Sequence, residues 1–524
     1  MNKNSHPEIG GRSAKIALVL LVIVYVFNFI DRQILAVLAE DIKADLNITD
    51  SDLGFLFGTA FAVFYAIFGL PLGRLADVWS RKKLISIGLA TWSVMTALSG
   101  TAQSFFSLSV FRVGVGIGES SASPASYSLL SDYFPPKVRT TILAIYSSGV
   151  YIGAGIGIFL GGWIVELWNS AYPDPSLAPL GLRGWQAAFM GVGIPGLILA
   201  CFTWQIKEPK RGMSDGIETP EHPHPFKEML NEFVGITPLA LLGSKQYKKL
   251  LGINFLIAIM IAIASYFLIL WTGDIVQWIA FGFGCYVVAC WIQGLQIRDY
   301  ATYSMIFKSK ALLFSVIGFP FLSFITYSGA AFGPAFYMRN FGVSEGEVAT
   351  VLGLTAAIAG MTGVILGGVI GDKLRKKYIN GRFYVAFLVI LLAVPFNLGV
   401  LYSENLYASY IWNFIFQLIS PMWVGIAPAI VADLVMPRMR AIAGAFYILM
   451  VSMLGLALGP YSVGLLSDTL ISQGYSDAEG LKTALAASLG VLIIPAIMLL
   501  LACRYLPGDE SSKLDRAKQL GEAI

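Results

Sequence analysis

The sequence predicts an all-α polytopic membrane protein, with twelve core helices in two pseudo-symmetric six-helix bundles and two additional helices between them. Three observations predict this fold class: a composition poor in charge, fourteen long apolar segments, and two loop motifs that each occur twice. Of the 524 residues, 56% are hydrophobic and only 13% are charged. Soluble globular proteins carry about 25% charged residues, so this composition excludes a water-soluble enzyme, a disordered chain and a secreted disulfide scaffold.

Charge and cysteine usage exclude further classes. The net charge of +4 is too small to predict nucleic acid as a partner. The four cysteines lie in apolar runs, where a thiol is usually a small buried hydrophobe. No Cys/His spacing predicts a metal site, and no Ser/His or His/Asp arrangement predicts a catalytic residue. We therefore expect no enzyme activity, no metal and no other cofactor.

Fourteen segments are apolar over the length that a membrane-spanning helix needs, which is about 20 residues for roughly 30 Å of hydrocarbon. The first of them lacks a small-residue cleavage site and is expected to be a helix, not a cleaved signal. The predicted spans lie near residues 16–38, 53–72, 84–101, 104–128, 141–165, 186–205, 251–271, 275–295, 311–333, 348–371, 383–402, 408–432, 441–465 and 483–503.

The distribution of positive charge orients these spans, because cytoplasmic loops are enriched in Lys and Arg. With the N-terminus in the cytoplasm and the spans alternating, nearly all of the 36 Lys and Arg residues fall on the cytoplasmic side. Both termini are therefore expected in the cytoplasm. The exceptions are four residues outside and two within the membrane: Lys43, Arg183, Arg339 and Lys482, and Arg32 and Arg112.

A single long polar stretch lies inside the chain and suggests its domain boundaries. We expect an N-terminal six-helix bundle at 1–205, a cytoplasmic linker at 206–250 and a C-terminal six-helix bundle at 311–503. Residues 251–310 hold the two additional helices and their connection, and 504–524 form a cytoplasmic tail. Within the linker, residues 226–242 are amphipathic and could form a short surface helix.

Two loop motifs occur once in each half of the chain. The first has a glycine, an aspartate four residues later and a basic cluster, and its two aspartates, Asp77 and Asp372, are 295 residues apart. The second begins with Asp132 in one copy and Asp433 in the other, 301 residues apart, and continues with proline and basic residues. Two pairs with nearly equal offsets indicate a duplicated six-helix unit. Duplicated bundles of this kind build alternating-access transporters.

The six-plus-six arrangement and the Gly73, Asp77 and Arg81 loop resemble the major facilitator superfamily. The resemblance covers about twelve of the fourteen spans and implies that these three residues form a cytoplasmic gate. An aspartate at a helix end can make charge-assisted contacts with nearby arginines, and simple topological anchoring is the alternative. The sequence departs from the usual loop at Val78 and Ser80, where that family has a basic residue and a glycine.

Four charged residues lie well inside predicted spans: Asp31 and Arg32 in the first, and Arg112 and Glu119 in the fourth. Such residues cost about 2.5–3.5 kcal/mol each at a helix centre and are usually paired or functional. Asp31 and Arg112 lie at similar depths and could pair across the two helices. The alternative is a purely structural ion network. A buried carboxylate beside an arginine is under opposed pressures, since low dielectric favours its neutral form and the arginine its charged form.

The segments around these charges are similar to the spinster branch of the superfamily, whose animal members export sphingosine-1-phosphate or lysosomal lysolipids. The matching features are Asn28, the Asp31–Arg32 pair and the spacing of Arg112 and Glu119 around three alternate glycines. The resemblance implies that Asp31 is the proton-coupling acid, with Glu119 in the coupling network. It also implies that Arg32 and Arg112 engage the polar end of the substrate or this network.

The second half offers no deep charge but many aromatic and amide side chains in spans expected to face a cavity. A cavity with one charged wall and one aromatic wall suits an amphiphile. Ordinary lipid-facing or core packing is the alternative. The candidates for substrate binding are Tyr327, Asn413 and Gln417.

These observations together predict a proton-coupled secondary active transporter of an amphiphilic, lipid-like substrate of the sphingolipid or lysolipid type. A proton-coupled multidrug or organic-anion exporter is the alternative within transport, and an uncoupled channel or lipid-binding scaffold is a second class. The expected partners are the substrate, protons and membrane lipid, and the expected state is a monomer. Compact loops and a short tail suggest a bacterial inner membrane.

Overall fold

The computed structural model describes residues 9–211, 213–215, 223–241, 248–436 and 439–521. These residues form helices and contain no strand. Twelve helical segments among them are long and apolar enough to cross a membrane. The predicted all-α membrane fold is therefore confirmed. Parts of the predicted linker and tail, and residues 437 and 438 of the second loop motif, lie outside the described residues.

The first half of the chain forms ten α-helices, which we number in chain order. They are α1 (Arg12–Val37), α2 (Ala39–Leu46), α3 (Asp50–Phe57), α4 (Thr59–Val78), α5 (Arg81–Ser99), α6 (Phe105–Glu119), α7 (Ala122–Tyr133), α8 (Pro136–Ala171), α9 (Gly184–Trp204) and α10 (Pro225–Gly235).

The remaining α-helices follow in the same numbering. They are α11 (Lys248–Thr272), α12 (Ile275–Arg298), α13 (Tyr300–Phe307), α14 (Lys310–Phe341), α15 (Glu345–Thr355), α16 (Met361–Lys377), α17 (Gly381–Tyr402), α18 (Leu406–Ile419), α19 (Ile426–Asp433), α20 (Arg440–Met450), α21 (Leu458–Ser472), α22 (Asp477–Ser488), α23 (Ile493–Ser511) and α24 (Lys513–Gln519). Two π-helical turns, Ala356–Gly360 and Val451–Ala457, extend α15 and α20.

Two predicted spans differ in detail from the sequence expectation. The span near 84–101 is α5, and its first turn carries the three basic residues Arg81, Lys82 and Lys83. The span near 104–128 is two helices, because the chain leaves regular α-helix at Ser120 and Ser121 between α6 and α7. The break falls in a stretch rich in serine that is followed by Pro124, which is the signal that could have indicated it.

The chain folds into two compact units, each assembled from segments that are not contiguous in sequence. The first unit comprises Met1–Ile48, Phe64–Phe233 and Val343–Ala357. The second unit comprises Thr49–Val63, Val234–Gly342 and Ile358–Ile524. The predicted domain boundaries at 205, 250, 310 and 503 stay predictions.

Glycines on α8 hold α1 in the first unit at backbone contact distance. A Cβ at Gly153 would collide with the Val26 carbonyl oxygen, and one at Gly157 would lie 2.8 Å from the Ile30 Cα. Small residues four apart allow this approach between membrane helices. The contact fixes the position of α1 and therefore of the acidic residue Asp31 that follows Ile30.

The two additional helices, α11 and α12, belong to the second unit and are joined by side-chain hydrogen bonds. Asn254 on α11 donates to Gln293 Oε1 at 2.7 Å and accepts a bond from the Tyr286 hydroxyl at 2.7 Å. The helix α12 then packs on the π-helical turn Val451–Ala457, where Gly284 lies against Met453.

The helix α3 packs on α21 within the second unit, and its N-terminus carries a buried ion pair. Arg339 binds both carboxylate oxygens of Asp50 at 2.7 Å, and Ser467 donates to the same carboxylate. Asp468 accepts the backbone N–H groups of Asp50 and Ser51 at 2.9 and 2.7 Å. A carboxylate at the first turn of a helix binds these otherwise unpaired donors.

An alanine at Gly54 should destabilise this contact. Its Cβ would lie 2.5 Å from the Pro460 carbonyl oxygen in α21, and overpacking of this kind typically costs about 1–3 kcal/mol. We expect a lower midpoint in thermal unfolding of the detergent-solubilised protein. Gly69→Ala in α4 is the matched control, because nothing lies within 4 Å of the added Cβ and alanine favours a helix. Equal midpoints for the two variants would contradict the close packing of α3.

Candidate functional site

The four buried charges predicted from the sequence lie together in the first unit, on α1 and α6. Arg32 Nε donates to Glu119 Oε2 at 2.6 Å. Arg112 Nη1 donates to the main-chain oxygen of Asp31 at 3.0 Å. Asp31, Arg112 and Glu119 are at most 1% exposed. The predicted approach of Arg112 to Asp31 is therefore made through the backbone of Asp31, and the side-chain ion pair is formed by Arg32 and Glu119.

Glycines bring α5 against α6 beside these charges. A Cβ at Gly118 would lie 2.8 Å from the Trp92 backbone nitrogen, and one at Gly88 would lie 2.8 Å from the Gly118 carbonyl oxygen. The polar residues Trp92 and Thr96 of α5 are both fully buried on this side of the site. The site is therefore enclosed by three helices of one unit.

Aromatic rings hold the guanidinium of Arg32. Its central carbon lies 4.9 Å from the Phe29 ring centroid and 4.8 Å from the Tyr65 ring centroid. Cation–π contacts of this kind contribute about 0.5–2 kcal/mol when partly desolvated. With the bond to Glu119, they fix the orientation of a cation that is 17% exposed.

Several buried polar atoms at this site have no hydrogen-bond partner among the described residues. Buried polar atoms are ordinarily paired, and leaving one unpaired costs about 1–3 kcal/mol. Such atoms are available to a water molecule or to the polar group of a ligand, with the N–H groups as donors and the oxygens as acceptors. They are Asn28 Oδ1, Asp31 Oδ1, Arg112 Nε and Glu119 Oε1, with Trp92 Nε1, Ser93 Oγ and Thr96 Oγ1 on α5.

Arg81, a predicted gate residue, is the centre of a second buried network at the start of α5. It is fully buried, forms an ion pair with Asp132, and donates from Nε to Glu208 Oε1 at 3.0 Å. The same Glu208 accepts the Arg81 backbone N–H at 2.9 Å and the Ser80 hydroxyl at 2.6 Å. The role of Glu208 as a partner of Arg81 was not predicted from the sequence. An acidic residue shortly after the sixth predicted span is the signal that could have indicated it.

The other two predicted gate residues lie outside this network. Asp77 is exposed and makes no hydrogen bond or ion pair with a described residue, and only Pro124 would lie within 4 Å of a Cβ at Gly73. Arg211 instead reaches the end of α4, where it donates to the carbonyl oxygens of Ala76 and Trp79. Burial is the largest cause of the lowered pKa of Arg211.

The second unit contains a counterpart of the Arg81 network. Arg382 forms an ion pair with Asp433, and the separation of 51 residues equals that of Arg81 and Asp132. Arg382 also binds Asp372 Oδ1 at 3.0 Å. The basic cluster aligned with Arg81 from sequence instead contains Arg375, whose partner is Glu510. The equal spacing of the two ion pairs agrees with a duplicated unit.

The predicted binding residues of the second half lie on α14 and α18 of the second unit. Asn413 is buried, and its Nδ2 has no partner among the described residues. Tyr327 is half-buried beside Tyr447, and Gln417 is half-buried. Their role in binding stays a prediction.

Duplicated helical bundles that carry buried charges define a class, the secondary transporters of membranes. The family model of the Major Facilitator Superfamily matches residues 21–460. The chain therefore belongs to the major facilitator superfamily, whose members are transporters.

Relatives within this superfamily agree with the predicted spinster-like branch. The chain is 24% identical to the protein spinster of Drosophila melanogaster, over 91% of this chain and 66% of that one. It is 26% identical to spinster homolog 1 of Homo sapiens, over 88% and 74%. An MFS-type efflux pump of Mycolicibacterium smegmatis is 25% identical over 95% of this chain and 94% of that one.

A solved structure has the same fold. A bacterial homolog of the human lysosomal transporter Spinster, in an inward-facing and unoccupied conformation, aligns with a TM-score of 0.73. The alignment covers 95% of this chain and 98% of that one at 24% identity. The prediction of a spinster-like member of the superfamily is thus confirmed.

Replacing Arg81 by glutamine should destabilise the first unit strongly. The substitution leaves Asp132 and Glu208 without their buried cation, and breaking a buried pair typically costs about 3–5 kcal/mol. Arg382→Gln is the matched variant, because its ion pair has the same sequence spacing but the arginine is 18% exposed. We expect the smaller loss there, measured as the unfolding midpoint in detergent. A larger loss for Arg382→Gln would contradict the assignment of Arg81 as the better-buried anchor.

Proposed function

We propose that the protein is a proton-coupled secondary active transporter that moves an amphiphilic, lipid-like substrate by alternating access. The observation that carries this proposal is the buried cluster of Asp31, Arg32, Arg112 and Glu119, in which one ion pair is complete and the other is not. The resemblance of the segments around these charges to the spinster branch supports the substrate class.

Asp31 is the proton-coupling acid in this proposal. Its carboxylate is buried and its Oδ1 is unpaired among the described residues, while the nearest cation is bound to its main-chain oxygen. A buried carboxylate without an ion pair is held in its neutral form, because an unpaired buried charge is expensive. Release of the proton creates a charge that Arg112 can pair with after a side-chain movement. Proton binding and the position of Arg112 are thereby linked.

Arg112 is also the group best suited to an anionic substrate. Its guanidinium is buried, its Nε is unpaired among the described residues, and no carboxylate binds it directly in the described structure. An anionic head group would supply charge-assisted hydrogen bonds, which are stronger than neutral ones. Substrate and ionised Asp31 would therefore compete for the same cation, and such competition couples the two movements.

Arg32 and Glu119 are the complete pair, and Glu119 is the second proton-coupling residue in this proposal. The Glu119 carboxylate keeps one oxygen on Arg32 and one oxygen unpaired among the described residues. The aromatic rings of Phe29 and Tyr65 that flank Arg32 offer apolar surface beside the charge. Charge next to aromatic surface suits a polar head that continues into a hydrocarbon chain.

A second candidate is a proton-coupled multidrug or organic-anion exporter. The mycobacterial relative, named an MFS-type efflux pump, favours it. Both candidates use the same charged cluster and differ in the substrate. Uptake of a panel of labelled lysolipids and cationic dyes into proteoliposomes, with and without a pH gradient, separates them.

We further propose a monomer in a bacterial inner membrane with both termini in the cytoplasm. The positive-inside distribution of the Lys and Arg residues around the predicted spans supports the orientation of the termini. Cysteine labelling from either side of intact cells tests the orientation.

Replacing Asp31 by asparagine should abolish transport driven by a pH gradient. Asparagine has nearly the same shape but cannot exchange a proton, so we expect folding and yield to stay near normal. The measurement is accumulation of a fluorescent lysophospholipid in proteoliposomes under an imposed gradient. Asp274→Asn is the control, because that carboxylate is bonded to the Tyr461 hydroxyl in the second unit. Gradient-driven accumulation that persists in Asp31→Asn would refute the role of Asp31.

Replacing Arg112 by glutamine should weaken the binding of anionic amphiphiles selectively. Loss of charged hydrogen bonds is worth about 1.5–3 kcal/mol, which corresponds to roughly tenfold or more in affinity. Binding of an anionic and a zwitterionic lysophospholipid to the purified protein provides the comparison. Arg183→Gln is the control, since that arginine is 53% exposed and pairs with Asp45. Equal losses for the two lipids would count against a direct contact with the anion.

A further inference from the structure

The additional helices α11 and α12 have no part in the proposed function. The helix α12 packs along the segment that α20, the π-helical turn Val451–Ala457 and α21 form together, which we call the α20–α21 segment. Trp291 of α12 stacks on Phe446 of α20 with ring centroids 5.8 Å apart. A Cβ at Gly284 would lie 2.7 Å from Met453 Cε in the turn. Residue numbers fall along α12 as they rise along the segment, so the two run antiparallel.

A hydrogen bond and a ring contact join the start of α12 to α21, on the far side of the turn. The hydroxyl of the buried Tyr461 donates to Asp274 Oδ2, and the Trp278 ring meets the Tyr461 ring edge-on at 5.5 Å. Trp278 Nε1 donates to Thr272 Oγ1 at 2.8 Å, and this bond fixes the orientation of the ring. The helix α12 therefore contacts the α20–α21 segment before, at and after the π-helical turn.

The π-helical turn is the point at which this segment can bend. A π-helical turn interrupts the regular hydrogen-bond ladder of an α-helix, and such turns are a common cause of kinks and are frequent at functional sites. Gly455 lies on the side of the turn opposite to Met453, and a Cβ there would collide with the Ser323 hydroxyl of α14. The Thr59 hydroxyl donates to the carbonyl oxygen of Ala457, the last residue of the turn, at 2.9 Å. The turn is therefore held between α14 on one side and α12 on the other.

One buried amide on α12 is unpaired in this arrangement. Gln277 is 2% exposed, and neither its Nε2 nor its Oε1 has a hydrogen-bond partner among the described residues. It follows Asp274 by three residues and precedes Gly284 by seven, so it lies on the face of α12 that meets the α20–α21 segment. Unpaired buried polar groups are costly. A shift of α12 against the segment that gives this amide a partner would recover the cost, so the contact is suited to a second arrangement.

We propose that α11 and α12 form a brace across the π-helical turn and limit bending of the α20–α21 segment. The bond between Tyr461 and Asp274 fastens one end of the brace, and Asn254 of α11 holds α12 through its bond to Gln293 at 2.7 Å. Hinges in proteins are short, so contacts on both sides of one turn can control the movement there. The proposal goes beyond the proposed function, since it depends neither on the substrate nor on proton coupling.

Hydrogen–deuterium exchange of the purified full-length protein in detergent, followed by mass spectrometry, measures opening of the turn without any substrate. Asp274→Ala removes the acceptor of the Tyr461 bond and leaves the sequence of the α20–α21 segment unchanged. Asp274→Asn is the matched variant, because its amide oxygen can still accept that bond. Tyr461→Phe removes the donor from the other side. Tyr337→Phe is its control, since that buried tyrosine is bonded to Ser409 elsewhere in the second unit.

We expect Asp274→Ala and Tyr461→Phe each to speed exchange of the backbone amides at 451–457 by about tenfold, because exchange follows the free energy of local opening. Asp274→Asn and Tyr337→Phe should stay close to the unmodified rate. An unchanged rate in Asp274→Ala and Tyr461→Phe would overturn the brace. Equal acceleration in α17, which packs on α16 and α18, would also overturn it, because it would indicate general destabilisation. Because no substrate is added, a failure of lipid transport contradicts the proposed function alone.

Discussion

The cost of burying charge is the constraint on which the rest of this structure depends. Two arginines and two carboxylates lie in helices that are otherwise apolar. Burying any one of these charges without a partner would cost several kcal/mol. The Arg32–Glu119 pair removes much of that cost by direct contact at 2.6 Å. Arg112 is held mainly by a main-chain oxygen of Asp31. The two arginines are therefore held differently, and the Asp31 carboxylate has no arginine bonded to its side chain in the described structure.

Close backbone packing makes this arrangement possible. Gly153 and Gly157 of α8 hold α1, and Gly118 of α6 holds α5, at distances where a Cβ would meet another backbone. Helices that approach this closely leave little space for water or lipid between them. The charged side chains of α1 and α6 are accordingly bonded to groups of these two helices. The small residues therefore determine the geometry of the charged cluster without contributing any polar group to it.

The sequence predicted which helices form and which residues lie at similar depths, but it did not predict which atoms bond across helices. Apolar length predicted the helices, and depth along α1 and α6 predicted that Asp31 and Arg112 meet. Which oxygen Arg112 binds depends on the rotation of both helices, which periodicity does not determine. The network around Arg81 shows the same limit, because Glu208 lies 127 residues away and only folding brings it there. The role of Asp77 in a cytoplasmic gate stays a prediction, since its side chain is exposed in this structure.

The deep charges of the candidate site occur in the first unit only, and the duplication allows a residue-by-residue comparison with the second unit. The helix α6 begins at Phe105 and α18 begins at Leu406, and this offset of 301 residues also relates the ion pairs of Arg81 and Arg382 to each other. At the same offset, Asn413 replaces Arg112 and Ser420 replaces Glu119. The structural ion pair was thus kept in both copies, whereas the deep charges occur in one copy only. A charge needed for packing alone would be expected in both units, so its restriction to the first unit argues for function.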